Sequence, residues 1–474
     1  MKRGVSIPFF FLALLTACTD THRVGSYSVG RDNKAVAEVE VVRDGNRWTA
    51  AYQFNRASPV WVLARSPLAA QSGKSYRSES WTVDTPDVRL ERRGRYDVLV
   101  AENGQPVPKR VRIRFKPYAG ELQAGYDAAL TFSDGSVALF DGQFKAFPAA
   151  SAAEAAAMPF DLDAVAMASL PTRATFRDQR GGVLFEGRRH QVLTLEDRGT
   201  YVLFGPAQPI VTGAISAILD PQLPAWLRTF LASSTTQILA EYARDLGPAP
   251  VGRPTLMVSW KGATPKMAGM GGSVLPNLVT MSFEGEGVLQ ENAEMRNQAR
   301  WFVAHESAHF WLGQAVRYEF SREAWIIEGG ADLLAFRTVA ATDPAYDARA
   351  QLQRSLDECV SLTRGRSVES AQQRNEERTA YACGAIFGLV AEAASGKSFA
   401  AWVRPLIEAS RRDGILSRRE WLAWLEQGSN GRVLRREVEQ LLDNGSADPA
   451  GAFASLFARA GVPHRLETAK LRLL

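Results

Sequence analysis

His305-Glu306-Ser307-Ala308-His309 sets two imidazoles four residues apart, with a carboxylate beside the first. On an α-helix a four-residue step brings both rings to one face. Two neutral imidazoles placed so can share one zinc ion. Glu306 can reach a water on that ion without binding the ion itself, which is where a general base must stand. Glu328 follows His309 after eighteen intervening residues, within Trp325-Ile326-Ile327-Glu328-Gly329-Gly330-Ala331-Asp332. A loop and part of a second helix fit in that interval, so the carboxylate can fold back as a third ligand. A His, His, Glu set leaves the fourth position of a tetrahedral zinc open to water, as catalytic sites do and structural sites do not. The chemistry such a set performs is metal-assisted hydrolysis.

Ligating histidines usually pass their other N–H to a carboxylate or a carbonyl. Asp332, one turn beyond Glu328, and Glu323, five residues before it, are the candidates. Trp311 and Trp325 are expected to pack in the core. The histidines need a helix, and the pattern predicts one over roughly Ala293–Val316, with a second around Trp325–Asp332. Upstream, Leu223–Leu246 has helical periodicity and is stopped by Gly247 and Pro248. Thr255–Trp260 and Asn277–Phe283 are expected strands, the second reached through the glycine-rich stretch Gly269–Gly272. Helix signals dominate from about Glu291 to the end.

The first two hundred residues read differently. Ala35–Val42 and Arg47–Phe54 are strands around an Asp44-Gly45-Asn46 turn. Lys109–Phe115 alternates Val111, Ile113 and Phe115 with Arg110, Arg112 and Arg114, the signature of a half-buried strand. A hairpin is expected at Ser133-Asp134-Gly135, and strands at Gly182–Glu186, Gln191–Leu195 and Tyr201–Phe204. The alanine- and serine-rich Pro148–Ala157 is a linker or a short surface helix. The chain is therefore expected to be α+β and multidomain. A β-rich, sandwich-like domain spans 18–205 and a mainly helical catalytic domain spans 206–474, C-terminal helices included.

Residues 1–17 carry a leader signature: Lys2 and Arg3, an apolar run from Val5 to Leu15, then Leu15-Thr16-Ala17-Cys18. That ending resembles a bacterial lipobox, which implies cleavage before Cys18, lipidation there and tethering to a membrane. Thr19, where no aspartate follows the cysteine, points to the outer membrane, facing the periplasm. The full chain carries a net charge of +5. With the leader removed the balance is about +3, and no basic run is interleaved with aromatics, so nucleic acid is not an expected partner. Of three cysteines, Cys359 and Cys383 remain after Cys18. In an exported protein they are expected to form a disulfide, with two free buried thiols as the alternative.

The run His305-Glu306-Ser307-Ala308-His309-Phe310-Trp311-Leu312-Gly313-Gln314-Ala315-Val316, followed by Trp325 and Glu328-Gly329-Gly330-Ala331, resembles the aminopeptidase N family of gluzincins. The resemblance includes the spacing to the third ligand. Tyr381-Ala382-Cys383-Gly384-Ala385 is similar to the family's Tyr-x-x-Gly-Ala segment, whose tyrosine hydrogen-bonds the oxyanion, and this implies that task for Tyr381. The family places a β-sandwich before a thermolysin-like catalytic domain, which the resemblance implies for residues 206–474, whereas its large helical C-terminal domain has no room here. One departure concerns specificity. The family's Gly-x-Met-Glu-Asn segment binds the substrate α-amine through its glutamate, and the matching stretch is Gly271-Gly272-Ser273-Val274-Leu275. Val274 cannot pair with an ammonium group, although Glu284 or Glu286 could supply the charge. The implied function is a zinc peptidase acting on peptides or proteins, not strictly an aminopeptidase. An aminopeptidase with a substituted amine anchor, or a peptide-binding lipoprotein without activity, are the alternatives.

Overall fold

Alternating side chains build the first sheet. Arg110–Phe115 exposes its arginines and buries Val111, Ile113 and Phe115. The strand beside it, Arg47–Phe54, buries Trp48, Ala50, Tyr52 and Phe54 in the same rhythm. A two-residue turn joins that strand to Ala37–Asp44, with Asp44 opposite Arg47 and Gly45 at φ +60°, where a side chain would be strained. The structure is a computed structural model and describes residues 35–474 except 124–125, 160–161, 163–164, 212–214, 249–252, 375 and 469. The leader and Cys18 lie outside the described residues. Among the described residues, no helix is long and apolar enough to cross a membrane.

The chain divides into two compact units. The first holds the strands up to residue 211 together with Ser216–Pro224 and Thr255–Leu289. Its six-stranded sheet runs in the order Leu193–Glu196, Thr172–Asp178, Ala37–Asp44, Arg47–Phe54, Arg110–Phe115, Trp81–Val83. Ala37–Asp44 and Thr172–Asp178 pair in parallel across a long sequence gap. Two further sheets of four and five strands lie beside it. Trp48, Phe54, Trp61, Leu99, Leu139 and Phe204, drawn from all three, are buried in one core. The Pro148–Ala157 segment divides: Ala146–Ala149 is a buried strand and Ala152–Ala157 a short helix capped by Ser151.

A separate five-stranded sheet in this unit ends on Gly269–Leu275, which among the described residues pairs only with Leu278–Glu284. Glycine is a poor strand former, so the composition of Gly269–Gly272 suggested a connection. Pairing along the whole partner strand, from Gly269↔Glu284 to Leu275↔Leu278, makes it an edge strand instead.

The second unit comprises Ala225–Pro254 and Gln290–Leu474 with residues 213–215. Ala225–Leu246 turns Leu227, Leu231, Ile238, Leu239 and Tyr242 inward. Three helices matter most below: the histidine helix Ala293–Ala308, the glutamate helix Ala324–Thr342 and the tyrosine helix Arg378–Ser395. The glutamate helix is buried nearly all round, as expected of an element at the centre of a unit. Cys383 of the tyrosine helix and Cys359 of Ala348–Leu362 are joined by a disulfide. The chain as a whole is a mixed α+β fold, with sheets in its N-terminal part and helices in its C-terminal part.

Candidate metal centre

Asn292 caps the histidine helix by accepting a hydrogen bond from the Met295 amide. His305, Glu306 and Ser307 are buried on its last turns. The helix stops at Ala308, short of the expected Val316. The chain turns at Gly313, whose φ of +136° suits glycine, and this brings the Leu312 carbonyl back to 2.8 Å from Nδ1 of His309. The early ending therefore gives the second histidine a backbone acceptor that a continued helix would have withheld. Tyr242 donates to the Ala304 carbonyl at 2.9 Å and Trp311 donates to the Gly247 carbonyl at 3.0 Å, tying the region to helix Ala225–Leu246.

His305, His309 and Glu328 converge, all three buried. Nε2 of His305 lies 3.1 Å from Nε2 of His309. Glu328 Oε2 lies 3.5 Å from the first and 3.4 Å from the second. Zinc bonds to nitrogen and oxygen of about 2.1 Å, arranged tetrahedrally, space their ligand atoms about 3.4 Å apart. The other ring nitrogens are engaged: Nδ1 of His305 meets Asp332 Oδ1 at 2.9 Å. With Nδ1 donating in both rings, two Nε2 lone pairs and a carboxylate face one small volume. Such a cage is repulsive unless a cation occupies it, so these residues fit one metal ion.

The carboxylates around the cage attract any cation, a proton included. Burial opposes a charged imidazole at His305, yet Asp332 and Glu328 overcome it and lift its pKa to about 10. Burial likewise opposes charge at His309, and Glu328 overcomes it. Burial would raise Glu328, but the two histidines pull it well below the usual carboxylate range. Glu306 behaves otherwise. Burial pushes its pKa up, only partly offset by the histidines, and its Oε2 is buried without a hydrogen-bond partner. A buried carboxylate with a free oxygen beside a metal cage is equipped to take a proton.

Tyr381 is 4% exposed and stacks on His305 with ring centroids 5.6 Å apart. Glycines set this placement. A Cβ added at Gly384 would lie 2.0 Å from the Trp325 carbonyl oxygen, and one added at Gly329 would lie 2.2 Å from the Gly384 Cα. The glutamate and tyrosine helices thus touch backbone to backbone, next to Glu328 on one and Tyr381 on the other. Trp311 and Trp325 are buried, as expected.

Asp332 orients His305, and Asp332→Ala is expected to weaken zinc binding about 10- to 100-fold, measured by competition with a chelating dye. Glu323 does not share that work. Its carboxylate accepts from the backbone amides of Glu319 and Arg418, each at 3.3 Å, so it is spent on a loop amide and on the first amide of the helix Arg418–Leu425. Gly271, Gly272 and Val274 lie on the edge strand Gly269–Leu275 of the first unit, Val274 opposite Val279. The alternative anchors are engaged locally: Glu284 accepts from the Thr264 hydroxyl at 2.5 Å and Glu286 from the Lys266 amide at 3.2 Å. Sequence reasoning passed over Glu377. This residue stands at the N-cap position of the tyrosine helix, one turn before Tyr381, and makes no side-chain capping bond. Its pKa is raised by burial and then by the charge of Glu328, and among the described residues no cation pairs with it. Its position four residues ahead of Tyr381 was the available signal.

Among solved structures, the chain is similar to an aminopeptidase N family protein from Idiomarina loihiensis, with a TM-score of 0.60 and 12% identity over 86% of this chain and 76% of that one. It is also similar to native yeast LTA4 hydrolase (TM-score 0.49, 13% identity, 90% and 71% covered). An M1 zinc metallopeptidase from Deinococcus radiodurans scores 0.45 at 14% identity, with 84% and 91% covered. The structural neighbours are thus M1, aminopeptidase N-like zinc metallopeptidases. At such identities the likeness, resting on the first, establishes the architecture. No protein-family profile and no curated protein matches the chain.

Proposed function

We propose that the protein is a zinc-dependent peptidase of the cell envelope. The observation that carries this is the buried cage of His305, His309 and Glu328, with the Glu306 carboxylate beside it keeping one oxygen without a hydrogen-bond partner. Zinc, when bound there, supplies a Lewis acid for a water and for the scissile carbonyl. Glu306 removes the water's proton and later delivers it to the departing amine. Tyr381 donates to the oxyanion that develops on the carbonyl. Asp332 and the Leu312 carbonyl hold the two imidazoles in the tautomer that leaves Nε2 free. A protein that only bound peptides around a structural metal would have no use for the Glu306 carboxylate.

On specificity, Val274 removes a charged anchor and supports cleavage of internal bonds. Glu377 supports a second reading, aminopeptidase action, because an uncompensated carboxylate near Glu328 can hold a substrate ammonium group. A peptide library, half with free and half with acetylated N-termini, separates the two when products are read by mass spectrometry. Equal cleavage of both halves supports the endopeptidase. Cleavage confined to free N-termini, and lost on Glu377→Gln, supports the second reading. No cleavage of any peptide overturns the peptidase.

Lipidation at Cys18, with attachment to the outer membrane facing the periplasm, completes the proposal. Its support is the leader and lipobox signature. An acylated Cys18 at the mature N-terminus is the expected finding, and an unmodified N-terminus elsewhere overturns it.

A further inference from the structure

The solvent face of the six-stranded sheet carries a trough of about 600 Å³. Strand register maps its floor. One row across the strands reads Thr194, Thr175, Glu40, Ala51, Arg112. The next reads Glu196, Arg173, Glu38, Gln53, Arg110. On one bank the charges are spent on each other: Arg173 lies 3.4 Å from both Glu38 and Glu196, and Arg177 2.8 Å from Glu40. The opposite bank differs. Arg110 and Arg112 are exposed, and among the described residues no carboxylate pairs with either. Arg114, next on the same face, is held by Asp84 at 2.7 Å. Beside Arg112 the floor drops to the small Ala51, with Glu40 beyond it.

A solvated sheet face needs polar side chains, but it does not need two adjacent guanidinium groups left without partners beside a trough. Their spacing identifies what fits. Alternate residues of a strand lie about 6.8 Å apart, and so do alternate side chains of any extended peptide. Carboxylates two residues apart on an extended chain therefore meet Arg110 and Arg112 in step, each as a two-pronged hydrogen-bonded pair. Aromatic platforms for sugar rings are missing among the described lining residues, since Tyr52 is buried and its hydroxyl donates inward to the Phe144 carbonyl. We propose that this trough docks an extended acidic polypeptide segment with carboxylates at alternate positions, using Arg110 and Arg112. This proposal does not depend on the peptidase reading.

The test uses the full chain carrying Glu306→Gln, so that the probe is not consumed. A fluorescent peptide alternating Glu and Ser is compared by anisotropy, at low and physiological salt, with one of the same composition in which the glutamates are contiguous and followed by the serines. A glucuronate oligomer and anionic phospholipid vesicles are the other arms. The alternating peptide is expected to bind best. Arg110→Ser with Arg112→Ser should weaken it about tenfold, as loss of two exposed charge pairs implies, and Ala51→Trp should do the same by filling the trough. Circular dichroism of the variants checks that the sheet is intact, Arg110 and Arg112 being exposed and Ala51 half-buried. The proposal is overturned if the alternating peptide does not bind, if both peptides bind alike, if the substitutions change nothing in folded protein, or if glucuronate or vesicles bind in its place.

Discussion

Glu306→Gln is expected to lower peptide turnover about 10³-fold and to leave one zinc per chain in place. The substitution keeps shape and removes the base. Glu306 is 3% exposed, is not among the converging ligand atoms, and has one oxygen without a partner, so no hydrogen bond is lost at that oxygen when its charge is removed. Burial raises its pKa, which means the folded protein bears a cost for holding it ionised. A neutral glutamine relieves that cost, so the variant should melt no lower than the parent. This combination separates the possible parts Glu306 could play. A fourth metal ligand would release zinc on substitution, a packing residue would lower the melting temperature, and a bystander would leave turnover unchanged. Metal content by elemental mass spectrometry, a melting curve and kcat on one cleaved peptide decide between them, and any of those three results removes Glu306 as the base.

The convergence of His305, His309 and Glu328 was legible because local chemistry sufficed. His305 and His309 need only one helical turn between them, and Glu328 needs only a loop of the right length. Tyr381 came from a family resemblance, since one tyrosine on an apolar helix says nothing alone; its place beside His305 depends on Gly329 and Gly384, two contacts distant in sequence. Alternation exposed the Arg110–Phe115 strand, and the Asp44-Gly45-Asn46 turn signal exposed the first hairpin. The parallel pairing of Ala37–Asp44 with Thr172–Asp178 leaves no mark in either segment, because each is an ordinary half-buried strand whose partner is set by the whole sheet. The end of the histidine helix was misjudged for a related reason. Phe310, Trp311, Leu312 and Val316 keep an apolar rhythm that a helix would share, and only the return of the Leu312 carbonyl to His309 shows why the helix stops. Glu323 has a carboxylate within a plausible number of residues, and spacing could not reveal that the Glu319 and Arg418 amides claim it.

Gly384→Ala should be the most damaging single methyl group in the second unit. The added carbon would stand 2.0 Å from the Trp325 carbonyl oxygen and 2.9 Å from the Gly329 Cα. Both are backbone atoms, so no rotamer change makes room and the two helices must part. The disulfide at the neighbouring Cys383 holds the tyrosine helix from its other side, which limits where it can go. Overpacking of this kind is expected to cost about 4 kcal/mol, a fall of roughly 8–16 °C in melting temperature. The same displacement carries Tyr381 away from His305, so residual activity of any folded fraction should drop further than its zinc content. Gly269→Ala is the comparison, because its added carbon meets nothing nearer than 3.9 Å, and it should melt with the parent. If Gly384→Ala also melts with the parent, the helices do not touch at this point. The placement of Tyr381 then needs another cause, and the oxyanion assignment loses its geometric support while the metal cage of His305, His309 and Glu328 stands unaffected.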